Sequence, residues 1–70
     1  MLIMSNVERA HALNQLKILS MTIKMEQNPF VKHHLTMLVI RLSKEADVLL
    51  PELMELITLG EKEADITLRN

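Results

Sequence analysis

The sequence predicts an all-α fold: an antiparallel helical hairpin over 6–27 and 29–50, a short kinked or third helix over 51–59, and pairing of two copies into a four-helix-type bundle. Three observations point there. Forty-nine percent of the 70 residues are apolar, yet Phe30 is the one aromatic side chain and Gly60 the one glycine, whereas strands favour aromatic and β-branched residues and their turns favour glycine. Apolar residues recur at helical spacing through most of the chain. The chain has no cysteine, which suits a reducing compartment, and below about 70 to 80 residues a single core seldom suffices without a disulfide, a metal or oligomerisation.

The first helix opens at Ser5-Asn6-Val7-Glu8, a capping box in which the serine oxygen takes an orphan amide and the glutamate reaches back. Asn28-Pro29 closes it, because the residue before a proline is pushed out of helical geometry. The same pair opens the second helix, with Asn28 as N-cap and Pro29 at the first helical position.

On the second helix Val31, Leu35, Leu38, Val39, Leu42, Ala46, Leu49, Leu50, Leu53, Leu56 and Ile57 fall within about 120° of arc. Lys32, Arg41, Lys44, Glu45, Glu52 and Glu55 lie outside it. The stripe keeps its phase across Pro51, which deprives the Asp47 carbonyl of its helical donor and kinks or interrupts the helix. A continuation to Leu59 with Gly60 as the C′ stop follows. Residues 61–70 read as a frayed polar tail, and 1–70 as a single helical domain. Lys44-Glu45-Ala46-Asp47-Val48 returns as Lys62-Glu63-Ala64-Asp65-Ile66. Repeat architectures need about three units, so the likeness reads as coincidence.

The first helix is apolar on two sides. One seam is Ala12, Leu16, Leu19 and Ile23, joined by Leu13; the other is Val7, Ile18, Met21 and Met25, joined by Ala10. Two apolar sides require two packing partners. Residues 51–59 would span roughly 13 Å against about 33 Å for the first helix, too short to mask the second seam. A second copy is the economical cover, which makes Val7, Ile18, Met21 and Met25 the expected partner-binding residues of a homodimer.

Charge is divided along the chain. Residues 1–44 hold six basic and two acidic side chains, residues 45–70 two basic and seven acidic. These read chiefly as solvated helix faces, with a sharper alternative in which the basic part of one chain meets the acidic part of another and sets register.

Chemistry finds little to work with. Metal ligands on helices sit three or four residues apart, and His33 and His34 have no acidic or histidine neighbour at those offsets. His11 has Glu8 alone, already engaged by the capping box. Ser5, Ser20 and Ser43 stand in no G-x-S-x-G elbow, and a phosphate-cradling loop needs more than one glycine. No catalytic, cofactor or metal site is expected, and the chain is read as a non-enzyme.

The segment Leu42-Ser43-Lys44-Glu45-Ala46-Asp47-Val48-Leu49-Leu50 resembles the serine-x-glutamate-leucine-aspartate segment of the small sporulation-type aspartyl-phosphate phosphatases. That resemblance implies a helical hairpin that dephosphorylates response regulators, with Asp47 as the functional carboxylate. Ala46 stands where that family carries leucine, and Pro51 interrupts the turn that follows.

Arg9, Lys17, Lys24, Lys32, Arg41 and Lys44 are scattered, the net charge is −1, and no aromatic platform exists, all of which count against nucleic acid. A small dimeric nucleic-acid-binding regulator remains an alternative. No apolar run is longer than the four residues of Met37 to Ile40, far short of the roughly 20 residues of a membrane span. The opening Met1-Leu2-Ile3-Met4 lacks a basic n-region, and Met4 is a possible alternative start. The expectation is a small cytoplasmic protein of bacterial or phage type, without a membrane partner. Its expected role is a helical protein–protein interaction module (regulator, adaptor or chaperone-like) that buries an apolar helix face. The six methionines suit surfaces that repack against partners.

Overall fold

A computed structural model describes residues 5–69; the alternative start at Met4 lies outside them. Among these residues all regular structure is helical: α1 (Asn6–Met25), α2 (Pro29–Glu45) and α3 (Leu50–Arg69).

The Ser5 hydroxyl oxygen caps α1, accepting from the Glu8 amide at 3.2 Å, which satisfies one of the helix's orphan donors. Glu26 ends the helix. Its amide donates back to Thr22 and Ile23, and its carboxylate accepts from the amides of Gln27 and Asn28 at 3.0 Å each. Asn28 then caps α2 through the Phe30 amide at 2.9 Å, with Pro29 in the first turn. A three-residue link between helix ends leaves little slack.

The second connection departs from expectation. The helix that begins at Pro29 stops at Glu45, not at residue 50. Asp47 adopts a left-handed conformation, φ 53°. The Val48 amide donates to the Ser43 carbonyl at 2.9 Å and the Asp47 amide to the Lys44 carbonyl at 3.2 Å, the paired bonds of a Schellman termination. Pro51 lies in the first turn of α3, where its missing N–H would have no helical acceptor in any case. It therefore opens a helix instead of kinking one. Leu49 and Leu50, expected on the buried stripe, sit at this turn and are exposed.

The third helix is longer than predicted. It passes through Gly60 and continues to Arg69, so residues 61–69 are helical where a frayed tail was expected. Gly60 is no stop signal; it is a point of very close approach between α3 and α1. A Cβ there would lie 2.6 Å from the Lys17 carbonyl oxygen, 2.8 Å from the Ser20 Cβ and 3.0 Å from the Met21 amide nitrogen. Only a residue with no side chain fits against that backbone. One turn on, Ala64 is fully buried, so Gly60 and Ala64 together make the small flank on which the two helices rest.

Ile23 shares a cleft with Lys32 and Thr36, while Gln15 and Leu19 share another with Leu42 and Glu45; α2 therefore runs back along α1. α3 runs in the same sense as α1, tied by ion pairs from Arg9 to Glu52 at 3.2 Å and from Lys17 to Glu63 at 3.1 Å. The division of charge is thus partly answered inside one chain, basic α1 against acidic α3. Such partly exposed pairs contribute less than about 1 kcal/mol each, and their main effect is on register.

The interior is built from small residues. Ala12, Leu16, Val39, Ala46, Ala64, Ser20 and Ser43 are buried, and Leu16 is the largest side chain to be wholly so. The two serines cost little there. Ser20 donates to the Leu16 carbonyl at 2.9 Å and Ser43 to the Ile40 carbonyl at 2.8 Å, which meets the requirement that a buried hydroxyl be hydrogen-bonded.

Candidate functional site

The two seams of α1 have opposite fates. Ala12 and Leu16 are buried, and Leu13, Leu19 and Ile23 are half-buried beneath α2 and α3. On the other side Val7, Ile18 and Met25 keep 69%, 45% and 38% of their surface exposed. Their spacings of eleven and seven residues bring them back to within about 20° of one line down the helix. They form an apolar ridge on the outside of the molecule, with Ala10 exposed nearby.

Met21 departs from this set. It is half-buried, because its backbone lies against Gly60 on the flank that α3 covers. A third helix as long as α1 reaches that flank, which the expected nine-residue segment did not. It still leaves the ridge uncovered.

Beside the ridge, α1 and α2 enclose a groove of about 540 Å³. Ile18, Leu19, Leu38 and Leu42 give it an apolar floor, and Gln15, Arg41 and Glu45 line its edge. Ile18 belongs to both ridge and groove, so the two form one continuous surface. The sequence left Arg41 and Glu45 among the solvated charges. The available signal was their position just outside the apolar arc of α2, but it acquires meaning only once α1 is placed beside them.

Other apolar side chains also face outward, including Phe30, Met37, Met54 and Ile66. They lie on α2 and α3, away from the outer side of α1. Val31, expected on the buried stripe of α2, is exposed as well.

The groups singled out for chemistry are not gathered. His11, His33, His34 and Glu8 are exposed, and among the described residues no group of three or more potential metal ligands comes together. Asp47, the carboxylate implied by the phosphatase resemblance, lies exposed in the left-handed turn after α2, outside any helix. Among the described residues no helix is long and apolar enough to cross a membrane. Comparison with protein-family models, with curated proteins and with solved structures finds no match, so the role of this surface rests on its geometry.

Proposed function

We propose that the chain is a small, non-enzymatic helical interaction module that works by burying the outer face of α1 against another helical surface, in the first instance a second copy of itself. Each copy would contribute its α1–α2 hairpin to a four-helix-type bundle, with α3 packed on the outside. The observation that carries this reading is the ridge of Val7, Ile18 and Met25, which α2 and α3 leave open. Burying the remaining surface of such a side chain contributes on the order of 1 kcal/mol, so a useful interface needs the ridge and the groove together. Met25 adds a flexible, polarizable side chain that adapts to a partner. A role as regulator, adaptor or chaperone-like protein would follow from what the module holds together.

The test is mass in solution. Light scattering across a concentration series should give twice the 8.1 kDa chain mass. Ile18→Lys should return the protein to one chain with its helicity unchanged, a loss of about 2 kcal/mol or more for a central contact. A parent mass of 8.1 kDa at every concentration removes the self-association reading.

A further inference from the structure

Building on that reading, we infer that the two copies meet across the α1–α2 groove about a twofold axis, with Arg41 of each copy facing the partner's Glu45. The groove has an apolar floor and a charged edge, and that edge carries one residue of each sign. Arg41 and Glu45 are exposed and stand one turn apart on α2, about 6 Å along its axis. Among the described residues the ion pairs that form join α1 to α3, and neither Arg41 nor Glu45 takes part.

Such a surface complements itself. Rotating it by a half-turn about an axis midway between the two charges places each over its opposite, so one patch yields two equal ion pairs. That is the defining property of an interface between identical faces. A foreign partner would need to supply the matching arrangement independently.

The apolar part obeys the same symmetry. Gln15 and Leu19 of α1 lie in the groove beside Arg41, Leu42 and Glu45, which puts Ile18 close to the level of the axis. Ile18 then meets its own counterpart at the centre, flanked by Leu38 and Leu42. Edge charges of this kind fix register and speed encounter more than they add affinity, whereas like charges brought together strongly disfavour pairing.

The experiment is a charge exchange on the full chain, read by sedimentation equilibrium with circular dichroism as the folding control. Both side chains are exposed, so neither change disturbs the core, and an arginine at position 45 suits a helix C-terminus. Arg41→Glu alone and Glu45→Arg alone should each weaken self-association by at least on the order of tenfold, since each sets like charges together twice. An equimolar mixture of the two variants should recover pairing near the parent's strength, as heterodimers in which all four groups are matched. The double variant Arg41→Glu/Glu45→Arg should recover it as a homodimer. Single variants that dimerise like the parent overturn this geometry, as does a mixture that stays as weak as its components. In either case a dimeric parent made monomeric by Ile18→Lys leaves the ridge reading standing. A parent that never dimerises overturns both.

Discussion

The pentapeptides 44–48 and 62–66 share Lys-Glu-Ala-Asp and end in valine or isoleucine, yet the chain treats them differently. In the first copy the helix ends: Ala46 is the cap and Asp47 turns left-handed. In the second the helix runs straight through, with Asp65 an ordinary exposed position of α3. The alanine is buried in both, at 4% and 0% exposure. The deciding difference lies four residues beyond the aspartate, at Pro51 in one case and Arg69 in the other. A continuing helix would need the amide of residue 51 to bond the Asp47 carbonyl, and proline has none to give, while its ring would collide with that carbonyl. The shared residues mark which side is small enough to pack; the downstream residue determines whether the backbone turns.

The largest expected effect breaks the second copy's setting. Gly60→Val would drive side-chain atoms into the Lys17 carbonyl, prise α3 from α1 and uncover Ala64. A loss of about 3 kcal/mol should lower the melting temperature by more than about 10 °C in a domain of this size, and thermal denaturation would show it. If Gly60→Val melts with the parent, the close approach is not what holds α3 in place.

A smaller pair of changes should give opposite signs at equivalent positions. Asp47→Gly relieves a left-handed residue and should stabilise by about 0.5–1 kcal/mol. Asp65→Gly places glycine inside an exposed helix and should destabilise by several tenths of a kcal/mol. Urea titration of both variants reads the difference directly, and shifts of the same sign would contradict the contrast between the two copies.

The smallest effect concerns the glutamates. Glu63 pairs with Lys17 across the α1–α3 contact, whereas Glu45 has no ion-pair partner within the chain among the described residues. Glu63→Gln should cost about 0.5 kcal/mol at low salt and less as salt screens the pair. Glu45→Gln should have the opposite sign, stabilising the separated chain by about 0.3 kcal/mol at low salt because it removes a negative charge from the C-terminal turn of α2.

Much of the fold was legible because it is encoded locally. The Ser5 cap and the Asn28-Pro29 start of α2 each carry their own chemistry within a few residues and act as read, although the hydrogen bond seen at Ser5 is the serine half of the capping box. α1 ends at Met25, two residues early, because Glu26 caps it before the proline is reached. The ridge was legible because Val7, Ile18 and Met25 repeat at helical spacing on one side of α1. Gly60 was misread because its local meaning, a helix stop, is overruled by a contact with a helix some forty residues earlier in the chain. That one misreading hid the second half of α3 and, with it, the cover over Met21. The apolar phase that continues across Pro51 leaves a kink and a fresh helix both open, and the left-handed turn at Asp47 decides for the fresh helix. The groove edge at Arg41 and Glu45 became visible only when α1 and α2 were brought side by side.

The small-residue interior has one further consequence. Alanine, serine and glycine supply most of the inward positions, so the molecule's cohesion and its stickiness reside in different side chains. Ile18 or Met25 can be exchanged for another shape, or for a charge, with little threat to the folded chain itself. On the proposed reading, specificity is therefore free to drift under selection, while the scaffold that would present it tolerates little change at Gly60 and Ala64.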